Sequence, residues 1–91
     1  MANVSVEKSA VLGAISLCQQ SIRQFEQASK SLSSKYRAAG SNWKDAKYSQ
    51  LGGVVSDCTT ALSRPVKELE ECVRKLNMLL KEIEEYEKVD L

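Results

Sequence analysis

Apolar residues recur at intervals of three and four over two long stretches of this chain. In the first stretch the period visits Val11, Ile15, Cys18, Ile22, Phe25, Leu32 and Tyr36, and only Ser29 interrupts it. Residues three and four apart lie on one side of an α-helix, so this spacing predicts an amphipathic helix. We expect helix 1 over about residues 4–39, with one apolar side along its length.

Gly40 ends this period, and residues 40–43 are predicted to form a bend. Glycine often takes the left-handed C-cap conformation at a helix end, and Ser41 or Asn42 can cap the helix that follows. Beyond the bend the period resumes in three rows of residues spaced seven apart. The rows are Val55, Leu62, Leu69, Leu76 and Ile83; Cys58, Pro65, Cys72, Leu79 and Tyr86; and Val66, Val73 and Leu80. We expect helix 2 over about residues 44–88, antiparallel to helix 1.

Two features disturb helix 2. Each glycine of Gly52-Gly53 weakens a helix by about 1 kcal/mol relative to alanine. Pro65 lacks a backbone N–H donor and disfavours helical angles at Arg64. We predict a single helix kinked near residue 65, and the alternative is two helices, the second capped by Ser63.

A two-helix hairpin leaves much of its apolar surface uncovered. At about 1.5 Å per residue the arms are roughly 50 to 65 Å long, and each helix has only one neighbour. The apolar side of helix 2 is wider than one neighbour covers, and at about 25 cal/mol per Å² its exposure costs several kcal/mol. We therefore predict an all-α fold, one domain over residues 1–91: an antiparallel two-helix hairpin that pairs into a four-helix bundle, as a dimer. The predicted partner interface consists of Val11, Ile15, Ile22, Phe25, Leu32, Val55, Leu62, Val66, Leu69, Val73, Leu76, Leu80 and Ile83.

The composition argues against most catalytic and metal chemistry. The 91 residues include no histidine, which removes the usual general base near neutral pH and the commonest metal ligand. Cys18, Cys58 and Cys72 lack metal-ligand spacing and fall in the apolar rows, so we expect buried reduced thiols. The alternative is a thiol that crosslinks two protomers. We predict no catalytic site, no metal site and no cofactor.

Charge and hydropathy limit the classes of partner. Thirteen Lys and Arg against twelve Asp and Glu give a net charge of +1, and the basic residues are interleaved with Glu, so no nucleic-acid partner is expected. The apolar run over residues 10–18 is far shorter than the roughly 20 residues of a membrane-spanning helix. Leu17 precedes Cys18 where a lipoprotein cleavage site needs a small residue, so we expect no cleaved signal peptide.

Three residues stand out for their position. Trp43, the only tryptophan, lies at the bend, where its ring can close the hairpin while its indole donates to a backbone carbonyl. The alternative is that Trp43 forms part of a recognition surface. Tyr86 and Asp90 lie one helical turn apart near the end of the chain, so a partner would meet an aromatic ring and a carboxylate on one side.

Together these features resemble the WXG superfamily, the small helical-hairpin proteins exported by type VII (ESX-like) secretion systems. The resemblance covers the whole chain and rests on the hairpin, on Trp43 at the bend and on Tyr86-x-x-x-Asp90. In that family the bend carries Trp-x-Gly, whereas Trp43-Lys44-Asp45 has an aspartate, which is able to cap helix 2. This departure points to a divergent branch, similar to the small helical proteins that accompany LXG toxins and bind the toxins' helical N-terminal domains.

The resemblance implies a non-catalytic type VII secretion substrate or targeting partner. Its implied partners are a second copy or another helical hairpin, among them the N-terminal domain of an LXG toxin, and the secretion ATPase, which reads Tyr86 and Asp90 as an export signal. It also implies a protein that is cytoplasmic before export and is secreted without a cleaved signal peptide. The alternative function is a cytoplasmic coiled-coil scaffold or adaptor, in which Trp43 only closes the hairpin.

Overall fold

Two long helices account for almost all of the computed structural model, which describes residues 4–89. Helix α1 spans Val4–Ala39 and helix α2 spans Ala46–Val89, and the two pack side by side as the antiparallel hairpin that the sequence predicts. The hairpin measures 70 × 16 × 15 Å, and its radius of gyration is 20.5 Å, against about 12 Å for a compact chain of this length. The molecule is therefore a rod with very little interior.

The contact between the helices uses most of the apolar residues of the repeat. Only Val11 and Ile15 are buried, each with 8% of its surface exposed, and among residues 4–89 no side chain is completely enclosed. The other predicted interface residues are half-buried between α1 and α2 of the same chain: Ile22, Phe25, Leu32, Val55, Leu62, Val66, Leu69, Val73, Leu76, Leu80 and Ile83. Their first role is thus to join the two arms of the hairpin.

Helix α2 runs without interruption through both sites that were expected to disturb it. Gly52, Gly53 and Pro65 all lie inside the helix. The alternative with two helices divided near Ser63 is therefore wrong, and the kink near residue 65 stays a prediction. Pro65 removes one backbone donor only, and packing of its half-buried neighbours Leu62 and Val66 against α1 helps to hold the helix together there.

The rod exposes more surface than a compact protein of its size. Its accessible surface is 7007 Å², whereas a compact monomer of 10.1 kDa exposes about 5,300 Å². Over residues 4–89, neither helix contains a stretch that is both long and apolar enough to cross a bilayer.

Candidate functional site

The bend is built from backbone hydrogen bonds that finish α1 in a tight turn. The Gly40 amide donates to the carbonyls of Tyr36 and Arg37 at 3.3 and 3.1 Å, and the Trp43 amide donates to the carbonyl of Ala39 at 3.1 Å. Gly40 does not have a positive φ, so the expected left-handed C-cap is wrong. Helix α1 ends instead in a series of tighter turns. Gly40 has a different role, which is to leave room for the ring of Tyr48.

Asp45 organises the start of α2. Its Oδ1 atom accepts from the backbone amides of Lys47 at 2.9 Å and Tyr48 at 3.2 Å, which is the geometry of an N-cap. The expectation that Ser41 or Asn42 caps this helix is wrong, because the Ser41 hydroxyl donates backwards to the carbonyl of Ala38. The cap also explains why α2 begins at Ala46, two residues later than the sequence suggested.

Trp43 is attached to the same carboxylate. Its indole Nε1 donates to Asp45 Oδ1 at 2.6 Å, so the prediction that the indole finds a backbone carbonyl is wrong in its partner. The ring also packs on Tyr48, with 5.8 Å between ring centroids and a tilt of 54°. Trp43 remains 38% exposed. The aspartate at the third position of the bend motif therefore positions the tryptophan as well as starting the helix.

Two tyrosines connect the helices beside the bend. Tyr36 of α1 and Tyr48 of α2 stack with 4.4 Å between ring centroids and 7° between ring planes. The Tyr48 hydroxyl donates to the carbonyl of Tyr36 at 2.9 Å. Partial burial, followed by hydrogen bonding and charge interaction with Tyr36, raises the pKa of Tyr48 above its ordinary value.

Each of these tyrosines lies over a glycine of the opposite segment. A methyl group at Gly40 would stand 2.8 Å from Cζ of Tyr48, and one at Gly52 would stand 2.8 Å from Cζ of Tyr36. Both glycines therefore make room for an aromatic ring. In the sequence each tyrosine precedes a glycine by four residues, in Tyr36-x-x-x-Gly40 and Tyr48-x-x-x-Gly52, but each ring meets the glycine of the other pair, so this spacing does not by itself predict the contacts.

The second candidate site is an exposed side of the rod, which we call the apolar face. Its exposed side chains come from both helices: Val6, Ala10 and Leu17 from α1, and Val54, Cys58, Ala61, Cys72, Leu79 and Tyr86 from α2. Ala10 and Leu79 line one groove between the helices, which shows that the two sets lie on the same side. The apolar face follows the length of the rod, because the spacings between the α2 residues are three, four, or sums of threes and fours.

The cysteines differ from the expectation of buried thiols. Cys18 is half-buried between the helices, whereas Cys58 and Cys72 are exposed on the apolar face, and all three are free thiols. The reason is geometric. A single neighbouring helix covers two of the three apolar rows of α2, and the row that contains both cysteines is the one left uncovered.

The opposite side of the rod is polar. The groove near the bend is lined by Ser29, Lys30, Ser33, Ser34, Arg37 and Thr59. The groove further along is lined by Gln19, Glu70 and Arg74, with the half-buried Ile22 and Val73 at its floor between the helices. Glu71 accepts hydrogen bonds from Arg74, which lowers the pKa of the Glu71 carboxyl below its ordinary value. Both side chains are about half exposed, so this pair adds little stability. The hairpin therefore has one apolar and one polar side.

The end of the rod opposite the bend carries the predicted tail signal. Lys8 of α1 and Glu87 of α2 form an ion pair at 3.3 Å, which joins the two helices there. Tyr86 is 66% exposed and lies at the end of the apolar face. Asp90, the other half of the predicted signal, lies outside the described residues. Tyr86 is thus accessible to a partner in the isolated chain.

Comparisons with protein families, curated proteins and solved structures gave no match. Within residues 4–89, no three His, Cys, Asp or Glu side chains are grouped so that they would hold a metal ion. The bend and the apolar face are therefore interpreted from their own geometry.

Proposed function

We propose that this protein is a non-catalytic substrate or targeting partner of a type VII (ESX-like) secretion system. In this function the apolar face packs on the helices of a partner, either a second copy or another helical hairpin such as the N-terminal domain of an LXG toxin. The complex is then a four-helix bundle, formed in the cytoplasm before export without cleavage of a signal peptide. Tyr86 and Asp90 serve as the export signal that the secretion ATPase recognises.

The observation that carries the proposal is the continuity between the apolar face and Tyr86. An exposed tyrosine at the end of a long uncovered apolar surface is accessible to a receptor while the rest of that surface packs on helices. The bend supports the same proposal, because Trp43 lies there, as the tryptophan of the WXG superfamily does, and donates a hydrogen bond to Asp45. The rod also meets the geometric need of a bundle, since two hairpins of equal length cover each other's apolar faces.

The export signal is tested with single substitutions in a host that has an active type VII system and expresses the neighbouring partner genes. Tyr86→Ala and Asp90→Ala are expected to stop secretion, because each removes one of the two recognised groups. Glu84→Ala is the matched control, since it changes an exposed residue of the same helical segment. Secreted and cellular fractions are measured by immunoblotting, and the helix content of each variant by circular dichroism.

Secretion of the Tyr86 and Asp90 variants at the wild-type level would overturn the signal. A wild-type protein that stays in the cytosol of this host would instead support the scaffold or adaptor function.

A further inference from the structure

The charged residues that border the apolar face on α2 have a self-complementary order. The exposed residues Lys47, Asp57, Arg64, Glu68, Lys75 and Glu85 occupy two rows of α2 with seven-residue spacing. Lys47, Glu68 and Lys75 continue the row of Val54 and Ala61, and the other three lie in the next row, one step further from α1. Arg64 and Glu68 lie two residues on either side of Val66. Asp57 and Lys75 lie nine residues on either side of it, and Lys47 and Glu85 lie nineteen. Each of the three symmetric pairs has opposite charges. Glu71 and Glu82 of the same rows have the uncharged Ala61 and Gln50 at their symmetric positions.

From this order we infer that the partner on the apolar face is a second copy of the chain. It packs with α2 antiparallel to the first α2 and with the two-fold axis at the level of Val66. Residues at equal distances on either side of an antiparallel axis then lie opposite each other. Asp57 meets the partner's Lys75, Arg64 meets the partner's Glu68, and Lys47 meets the partner's Glu85. This inference rests on the proposed function, in which helices of a partner cover the apolar face. It identifies those helices as the helices of a second copy of this chain.

The apolar residues fit the same register. Val54, twelve residues before the axis, lies beside the partner's Leu79, thirteen residues after it. Ala61 lies beside the partner's Cys72 by the same rule, and a small residue opposite a thiol allows the helices to approach closely. Val54 and Leu79, which are 57% and 45% exposed in the single chain, are thereby enclosed between two copies.

Other registers bring like charges together. Shifting the helices by one heptad in one direction places Asp57 opposite the partner's Glu68. Shifting them in the other direction places Arg64 opposite the partner's Lys75 and Asp57 opposite the partner's Glu82. Like charges at such positions disfavour the shifted pairings. The charged residues beside the apolar face therefore select one register, as charged residues beside the seam of a coiled coil do.

The available area is sufficient for a stable dimer. A face of 70 by 16 Å covers on the order of 1,100 Å², whereas a typical stable interface buries about 800 Å² on each partner. The polar side exposes Leu12 among its lysines, serines and glutamates, but it offers no continuous apolar surface over the described residues. The apolar face is therefore the side on which the two copies meet.

A charge swap tests the register with purified protein under reducing conditions. Asp57→Lys places two lysines opposite each other at both symmetric sites, and we expect the dissociation constant of the dimer to rise about tenfold. The double variant Asp57→Lys/Lys75→Asp reverses each pair and is expected to restore affinity to within about twofold of the wild type. Asp57 and Lys75 are eighteen residues apart, too far to contact each other within one helix. Glu26→Lys, on the polar side, is the matched control and should leave the affinity unchanged.

Cysteine pairing tests the same contact independently. In a background with Cys18→Ser and Cys58→Ser, Ala61→Cys should form disulfide-linked dimers with the partner's Cys72 when the oxidant diamide is added. Ser63→Cys, in the same background, lies on the polar side and should not.

Sedimentation equilibrium gives the mass and the dissociation constant, with about 20 kDa expected for the dimer. A chain that is monomeric at 100 µM overturns the inference, as does a dimer that is insensitive to Asp57→Lys or one that crosslinks through Ser63→Cys. A monomer that instead forms a 1:1 complex with a different helical protein overturns self-pairing alone. The export assay would then still decide the proposed function, because it uses Tyr86 and Asp90, which the swap does not alter.

Discussion

Gly52 offers a sharp test of the tyrosine arrangement at the bend. Substitution by alanine in the middle of a helix normally stabilises a protein, by about 1 kcal/mol. At Gly52, however, the added methyl group would stand 2.8 Å from Cζ of Tyr36, so the ring must move. Gly53→Ala is a matched control in the next position of the same helix, because nothing lies within 4 Å of its added methyl group.

The expected effect follows from the contacts that Tyr36 would lose. Its stacking on Tyr48 contributes about 0.5 to 1.5 kcal/mol, whereas the hydrogen bond from the Tyr48 hydroxyl goes to the Tyr36 backbone carbonyl and does not depend on the ring. Forcing a methyl group into this packed contact adds about 1 to 3 kcal/mol of strain. After subtraction of the helix-propensity gain, we expect Gly52→Ala to destabilise the hairpin by about 0.5 to 3.5 kcal/mol. Gly53→Ala should stabilise it by about 1 kcal/mol.

Urea unfolding followed by circular dichroism at 222 nm measures both values at one protein concentration. Tyr36→Leu provides a second check, because the shorter side chain no longer reaches Gly52. In that background Gly52→Ala should become stabilising, as Gly53→Ala is. Equal stabilisation by the two alanines in the wild-type background would refute the idea that Gly52 exists to accommodate Tyr36.

Two further predictions concern the same end of the rod. Asp45→Ala should destabilise the hairpin by about 1 to 2 kcal/mol, because it removes the N-cap of α2 and the hydrogen-bond acceptor of the Trp43 indole. Asp45→Asn keeps an acceptor and should cost much less. Similar melting temperatures for the two variants would contradict this prediction. The pKa of Tyr48 is raised in the folded state, so its contribution to stability is fully present below the ordinary tyrosine pKa of about 10 and is lost as pH rises through the folded value. Unfolding measured between pH 8 and 12 should show this loss, and Tyr48→Phe should reduce the pH dependence; an unchanged dependence in that variant would assign it to other groups.

The helices were predictable because their signal is local. Residues three and four apart share a helix side whatever the tertiary structure, so the period that includes Val11, Ile15 and Ile22 was enough to locate α1. The bend was predictable in position, and Asp45 was one of the candidate caps of helix 2 that the sequence offered. The hydrogen bonds of the bend depend on which side chain reaches the first free amides of α2, and Asp45 competes for them more successfully than Ser41.

The tyrosine and glycine contacts were not predictable, because they depend on the register between α1 and α2. Tyr36 meets Gly52 only after the length of the bend has determined which turns lie opposite each other. The position of Cys58 and Cys72 was wrong for a related reason. Periodicity identifies apolar rows but does not say which row a single neighbouring helix leaves uncovered.

The two ends of the rod are held very differently. At the bend, the chain itself, the Asp45 cap and the stacked tyrosines join the helices, whereas the opposite end has the exposed ion pair between Lys8 and Glu87 and, one to two turns further in, the buried Val11 and Ile15. Val4 and Val89 both lie at that open end, where no covalent connection joins the helices. A pulling force applied at the end of α2 would therefore peel this helix from α1 one turn after another, and would never have to shear the whole seam at once. Such a rod unravels in order from its termini and reaches the bend last.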